Sequence, residues 1–397
     1  MQGLIFDNNL NHLKAYFKQI YKAQHEVEVV FSEWLRKLCN SWLKEEFYFQ
    51  AGAEYYQRSP NRLDYGNGYY RRYLLTASGR IELNVPRGKR RRYKYTLFDK
   101  YKRYSKKFED IVIESLLLGH STRDARRFFD KMFGKGSISQ SLGSKILRRF
   151  DFEIEAWKKR SIKKEVTILV LDAIHLKGSI TGLKRAKPVL FAYCIYKDGQ
   201  EEVLDFEPRR YESLESWHRL CGRLYERGLR QVELVVRDDN KAIREAVSLY
   251  WPSSKQQFCI FHLMQNFIKY LKGIKDRKKK QKIINNTKKL YKAKSKEEFY
   301  SLLNHFMSIY RQYKYHPAFK YLFNHLEEST QFYEISQEFH PAAKTTNRLE
   351  RIFKEIKRRH KAFGRFPNTK SCQRWIYAFI KEGLIPQYRR IKSAQDY

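Results

Sequence analysis

The chain has 397 residues, 42% of them hydrophobic, and sets 81 Lys plus Arg against 43 Asp plus Glu, a formal net charge of +38. That apolar content is too high for a disordered tail, the length suggests two to three domains, and no apolar run approaches the roughly 20 residues of a membrane span or opens the chain as a signal peptide. The scattered cysteines Cys39, Cys194, Cys221, Cys259 and Cys372 argue against a disulfide framework and for a reducing, cytoplasmic setting, and a charge surplus this large calls for a polyanion, nucleic acid before a membrane surface.

Residues 1–57 read as helix, with Val27, Val30, Phe31, Trp34, Leu35 and Leu38 at helical spacing. The stretch is a candidate for oligomerisation or DNA binding. Region 58–107 follows, with a predicted hairpin over 72–86 centred on Ser78-Gly79 and closed by Pro86. A basic arm then runs through Arg87, Lys89, Arg90, Arg91, Arg92 and Lys94 to Lys107, suited to phosphate contact. Region 108–160 resembles a helix–turn–helix array. One helix ends at Gly119, and Ser121 caps a second with Ala125, Phe128, Phe129 and Met132 expected inward. Gly134 and Gly136 precede a third, with Leu142, Ile146, Leu147 and Phe150 inward and Lys145, Arg148 and Arg149 outward.

From residue 161 the character changes. Val166–Leu171, Val189–Tyr196 and Val232–Val236 are continuous apolar runs, as strands buried on both faces should be, with a helix between the last two. Residues 161–262 therefore read as the first part of an α/β core. Residues 263–340, helical and lysine-rich, read as an insertion. Residues 341–397 return to the core and end in a tail.

Three acids stand out. Asp172 and Asp238 are each expected where a buried strand ends, the place where ligands gather in open α/β sheets. Either Asp239 or Asn240 could cap the next helix and leave Asp238 free. Glu350 lies on a predicted helix, with Lys354, Lys357, Arg358 and Lys361 within roughly 80° of it and Leu349, Ile352, Phe353 and Ile356 about 110° away. One carboxylate in a cationic stripe suits an enzyme that holds a metal at a phosphodiester and grips the DNA around it. Two Mg²⁺ or Mn²⁺ ions about 4 Å apart, held by carboxylates, are a recurring solution to phosphoryl transfer. Glu355, beside Arg351 and Arg359, reads as an ion-pairing residue.

The ordered segments LVLDAIHLK, VVRDDNKAI, QFCIFHLMQN and TTNRLERIFKEIKRR, with TASGRIELNVPR and LLLGHSTRDARRFF upstream, resemble the Mutator-type transposases of prokaryotic insertion sequences. The resemblance spans about residues 65–370. It implies an RNase H-like catalytic core with a helical insertion, preceded by α-helical and β-hairpin DNA-binding regions. It also implies a DDE triad at Asp172, Asp238 and Glu350, and it matches Cys259 and His262 to a Cys-x-x-His element and Asn347 and Arg351 to the flanks of the catalytic Glu. Asp239-Asn240 replaces the Gly-His pair common in relatives. One Cys-x-x-His pair is only half a tetrahedral zinc site, so zinc is not expected; Cys259 and His262 would pack beside the active site, or His262 would touch DNA. His175 could likewise meet a phosphate.

The expected function is that of a DNA transposase acting on double-stranded transposon ends and target, as a homodimer or larger, in the prokaryotic cytoplasm at the nucleoid. The alternatives are a domesticated, silent DNA-binding protein and a metal-dependent nuclease that does not join.

Overall fold

The structure is a computed structural model describing residues 6–90, 92–99, 102–133, 138–139, 141–177 and 186–384, with side chains of the first helix described at Lys22, Val27 and from Val29 onward. Arg91, Gly134, Gly136 and the predicted tail beyond residue 384 lie outside the described residues. The chain divides into two compact units at Ile146–Leu147.

The first unit opens with helix α1 (Phe6–Ala51). Cys39, Leu43 and Phe47, four residues apart, form one buried stripe. Cys39 and Leu43 pack on Leu74, Ile81, Leu83 and Val85 of the hairpin β1 (Gly66–Thr76) and β2 (Gly79–Gly88). The hairpin is longer than expected. Its turn is Ala77-Ser78, with Thr76 paired to Gly79 at φ +126°, a conformation glycine adopts readily. Pro86 does not end β2: it pairs with Tyr69, and its carbonyl accepts the Tyr95 hydroxyl at 2.7 Å. The strand tolerates it because a two-stranded sheet leaves β2 an edge. The basic arm is tied down at its start. Fully buried Asp64 accepts the backbone N–H groups of Tyr65 and Arg90 and the Tyr93 hydroxyl, as a buried carboxylate requires. The side chains of Arg90 and Arg92 are exposed.

Ser105 caps α2 (Lys106–Leu117), and a Ser121/Asp124 exchange of hydrogen bonds opens α3 (Thr122–Phe133). Phe108 of α2 meets Phe129 of α3 with ring centroids 5.2 Å apart. Phe128 and Met132, expected inward, are 45% and 56% exposed, because the ridge of Ala125 and Phe129 alone meets the core. The expected third helix is two: α4 (Leu142–Leu147) stops before Arg148-Arg149, and α5 (Phe150–Lys159) starts afresh.

In the second unit α5 docks on a later helix, Asp151 taking both guanidinium arms of Arg374 at 2.6 Å. The second unit holds a mixed five-stranded sheet. Strands β3 (Val166–Lys177), β4 (Ala186–Tyr196) and β5 (Glu201–Pro208) form an antiparallel meander. Strands β6 (Val232–Arg237) and β7 (Lys255–Phe258) extend it in parallel with β3. On one face Leu169, Leu171 and Val235 pack against Trp217, Leu220 and Leu224 of α6 (Leu214–Glu226) and Ile243 and Val247 of α7 (Lys241–Tyr250). Helices on both sides explain the uninterrupted apolar runs.

Between β7 and the next long helix the chain is helical: α8 (Ile260–Tyr270), α9 (Arg277–Leu290), α10 (Lys296–Ile309), α11 (Pro317–Asn324) and the short α12 (Leu326–Ser329) and α13 (His340–Ala343). Helices α14 (Asn347–Phe363) and α15 (Thr369–Lys381) follow. Leu349, Ile352 and Ile356 of α14 are fully buried and Phe353 nearly so, its ring 5.1 Å from that of Phe191 on β4. Burying each such side chain is worth roughly 1.5–3 kcal/mol, enough to hold the helix against the sheet.

Candidate active site

Asp172 is not at the end of its strand. It lies mid-β3, paired with Phe191 of β4, two residues past Val170↔Val236, where pairing with β6 stops. The meander with β4 carries β3 onward while β6 ends, so Asp172 projects where the parallel half of the sheet opens. Strand alternation places it on the same face as Val170 and Phe191, the face α14 covers. Asp238 directly follows β6. Glu350 sits in the first turn of α14.

These acids share an electrostatic neighbourhood. Asp172 is 7% exposed, and its carboxyl is pushed up to about 7, first by burial and then by the nearby Asp238 and Glu350, while His262 pulls the other way. Asp238 is also held above the ordinary carboxylate range by burial, against His262 and the Asn240 N–H that its Oδ1 accepts at 3.1 Å. Buried like charges are costly unless a cation joins them. Carboxylate oxygens on β3, directly after β6 and on α14 are hard donors of the kind that divalent ions such as Mg²⁺ or Mn²⁺ take.

Glu350 is the best supported of the three. Its Oε1 accepts the Thr346 hydroxyl at 3.0 Å, and His262 Nε2 stands 3.7 Å away. Cys259, fully buried at the start of α8, joins this group. Its sulfur accepts the Thr346 N–H at 3.3 Å and lies 3.4 Å from the Thr346 hydroxyl. Among the described residues, Cys259, His262 and Glu350 bring their donor atoms within 4.8 Å of one another, and Asp172 and Asp238 fall outside that radius. Burial pushes the Cys259 thiol up to about 11, so at neutral pH it stays protonated.

Neighbours legible only in three dimensions complete the site. Asn240 caps α7 with its Oδ1, which accepts the Ala242 N–H, and donates its Nδ2 to Glu212 at 2.6 Å. Glu212, a fourth acid, is raised by burial and by Asp238; a glutamate in an Arg-Arg-Tyr-Glu-Ser loop carries no sequence signal for this. Asp239 turns away to His325 and Arg244 of its surroundings. Arg237 is 1% exposed and links Gln256 and Glu328 at 2.7 Å to the Asp238 carbonyl at 2.8 Å, tying the insertion to the site.

Around Glu350, Asn347, Arg351, Lys354, Lys357 and Arg358 are exposed; Glu355 pairs with Arg358 at 2.6 Å and with Arg359 at 3.0 Å. His175 is exposed on β3. Lys145, Arg90 and Arg92 belong to the first unit, and Arg148 and Arg149 to the second. Arg148 is exposed, and the Arg149 guanidinium lies 5.0 Å from the Phe150 ring.

Residues 8–385 match the profile described as "Transposase, Mutator family". The transposase for insertion sequence element ISRM5 of Rhizobium meliloti (strain 1021) is 30% identical over 350 residues, covering 88% of this chain and 86% of the relative. The transposase for insertion sequence element IS256 in transposon Tn4001 of Staphylococcus aureus is 29% identical over 331 residues, covering 83% and 84%. Among solved structures, the Drosophila P element transposase strand transfer complex aligns over 73% of this chain and 93% of its own, with a TM-score of 0.42 and 10% identity. Among the described residues no helix is long and apolar enough to cross a membrane.

Proposed function

The chain belongs to the Mutator family of transposases, with insertion-sequence transposases as its relatives, and from that premise we propose that it cuts and joins DNA through a DDE triad of Asp172, Asp238 and Glu350. One observation carries this reading: Asp172 lies on β3 two residues past the point where pairing with β6 stops, on the sheet face that α14 covers, so Asp238 directly after β6 and Glu350 in the first turn of α14 are its charged neighbours. Perturbed acids gathered at a strand edge mark a site that expects a cation. An antiparallel meander extended by two parallel strands, with acids on the first and fourth strands and on a covering helix, supports assigning the sheet as an RNase H-like core.

Asp172, Asp238 and Glu350 would hold two divalent ions, Mg²⁺ or Mn²⁺, which when bound supply Lewis acidity to the attacking and leaving oxygens. The protein's own part is placement. The strands fix the two aspartates, and Thr346 fixes the Glu350 carboxylate. Arg351, Lys354, Lys357 and Arg358 contact phosphates flanking the reacting bond. Arg90, Arg91, Arg92, Lys145, Arg148 and Arg149 grip the element's terminal repeats. Water and then the freed 3′ hydroxyl are the nucleophiles, so no covalent enzyme intermediate forms. Two ends must be held together, which calls for a dimer or larger on DNA, in the prokaryotic cytoplasm at the nucleoid.

The test is single replacement, Asp172→Asn, Asp238→Asn and Glu350→Gln, with cleavage, strand transfer and end binding measured separately on element ends. Each variant should lose the first two and keep the third. Strand transfer at the wild-type rate by Asp172→Asn overturns the assignment, and cleavage without joined product by the wild type reassigns the chain as a nuclease.

A further inference from the structure

The hairpin of the first unit and the chain that follows it enclose a cavity of about 560 Å³, the size of a small-ligand site. Its walls are aromatic: Tyr70 of β1, then Tyr93, Tyr95 and Phe98. Tyr70, Tyr95 and Phe98 rest on the core built around Cys39 and Leu43. Two of the hydroxyls are spent on protein acceptors, Tyr93 donating to Asp64 Oδ2 at 2.9 Å and Tyr95 to the Pro86 carbonyl at 2.7 Å. What these rings offer a ligand is therefore carbon surface. Gly88 lets Tyr93 close its wall, since a Cβ there would stand 2.2 Å from the Tyr93 ring.

The rim of the cavity is cationic. Over residues 92–97 exposure alternates residue by residue, as in an extended chain, so Arg92 and Lys94 stand in solvent beside the half-buried Tyr93 and Tyr95. The Arg72 guanidinium lies 3.9 Å from the Phe98 ring centre, and that of the exposed Arg87 lies 5.0 Å from the centre of Tyr70. All four cations line the cavity, and the acid among the lining residues, Asp99, pairs with Lys102 at 3.1 Å. Duplex phosphates call for cations and have no use for rings. Rings with cations beside them suit a single nucleotide out of the stack, with aromatic carbon for its base and positive charge for its phosphate. Arg87 already holds the place over Tyr70 where a base would stack, by the attraction of a cation to a ring. Being exposed, it can turn to the phosphate of a base that takes that place.

We propose that this cavity takes one unpaired nucleotide of the DNA, its base stacked on Tyr70 and its phosphate on Arg87 and Arg92. The site deepens the DNA-binding reading above, on which it rests: the first unit grips phosphates and also holds a base that has left the duplex. Stacking tolerates every base, so the cavity marks a distorted place in the DNA and not a base identity. Leaving the stack costs least where a base has no partner to lose, so binding favours DNA that carries one.

Fluorescence anisotropy of the full-length protein on three duplexes of one unrelated sequence tests this. One is fully paired, one bulges a single unpaired thymidine, and one carries an abasic residue in the bulge. The thymidine bulge should bind roughly tenfold more tightly than the other two, as one base–aromatic stack supplies, and a fluorescent base analogue in the bulge should be quenched on binding. Tyr70→Leu keeps apolar contact with the core and should lose both the preference and the quench; Tyr70→Trp should keep both. Equal affinity for paired and bulged duplex, an abasic bulge bound as tightly as thymidine, or a preference that survives in Tyr70→Leu overturns the inference. A protein that binds none of the three fails the DNA-binding reading as well, whereas one that binds all three alike fails only here.

Discussion

The hydroxyl of Thr346 donates to Glu350 Oε1 at 3.0 Å, although Thr346 occupies the cap position of α14 and makes no side-chain capping bond there. A threonine at that position ordinarily accepts an amide of the first turn. Here the hydroxyl is turned to the carboxylate one turn ahead, while the Thr346 N–H is taken by the Cys259 sulfur. The Cys-x-x-His element thus reaches Glu350 from two sides, through Cys259 and Thr346 and through His262.

Replacing Thr346 by Val keeps the shape and removes that donor. Partners of this kind are worth 10–100-fold in metal affinity or activity. The Mg²⁺ concentration giving half-maximal cleavage should therefore rise by roughly that factor in Thr346→Val, with end binding unchanged, and Thr346→Ser should restore it. A metal titration that superposes Thr346→Val on the wild type would show that the bond does not position Glu350.

Cys259 offers a different readout. Its thiol is buried and its proton is held to about 11, so maleimide should leave it unmodified in the native protein and react only after unfolding. Cys259→Ala strands the buried Thr346 amide, at a cost of about 1–3 kcal/mol, which lowers the thermal midpoint. Prompt labelling of Cys259 in the folded protein, or stoichiometric zinc that leaves with the Cys259→Ala change, would contradict this account.

Which of these features could be read from the chain follows from how far each interaction reaches. The apolar runs of β3, β4 and β6 and the apolar stripe of α14 are properties of consecutive residues, and they could be read directly. So could the capacity of Asp239 or Asn240 to cap α7, of which Asn240 is the one that accepts the Ala242 N–H. Asp172 reads as terminal from the sequence, yet the strand that ends beside it is β6 and not β3. Phe128 and Met132 fit a helical stripe yet face solvent, since periodicity marks a face without saying how wide its partner is. Glu212 and Arg237 depend on partners 28 and 91 residues away, and no local pattern announces them.

The pH response of the metal-free protein follows from Asp172. Its folded carboxyl is raised to about 7 by burial and crowding, against about 3.9 in an unfolded chain. The folded state therefore binds a proton that the unfolded state has released. The stability this contributes is complete below about pH 4 and is lost as pH rises through 7. Asp172→Asn has no carboxyl to titrate there. Urea unfolding in chelator should find it more stable than wild type near pH 8, by on the order of 1–4 kcal/mol, with the gap closing toward pH 4. A gap that stays constant with pH would remove Asp172 as the source.

Arg237 and Glu328 form the pair that ties the insertion to Asp238. Arg237 is 1% exposed and Glu328 about a third exposed, so removing the acid leaves a buried cation, screened on one side only. Glu328→Ala should cost about 2–4 kcal/mol. Replacing both, Arg237→Met with Glu328→Leu, should recover most of that, as apolar replacements of buried pairs do. It should not recover cleavage, because the Asp238 carbonyl loses its donor. Full activity in the stable double variant would reduce the pair to a structural tie.

The stripe on α14 is tested by salt. Lys354 and Lys357 are exposed on the Glu350 side of the helix, where phosphate contact requires them. Each phosphate neutralised contributes about −0.9 to the slope of log K against log salt. Lys354→Ala and Lys357→Ala should each flatten that slope by about 1 and weaken binding to element ends and to unrelated duplex alike, because phosphates carry no sequence. Cleavage should fall with occupancy and recover at saturating protein. A variant that lost discrimination between ends and unrelated DNA, with its salt slope intact, would place that lysine at a base edge instead.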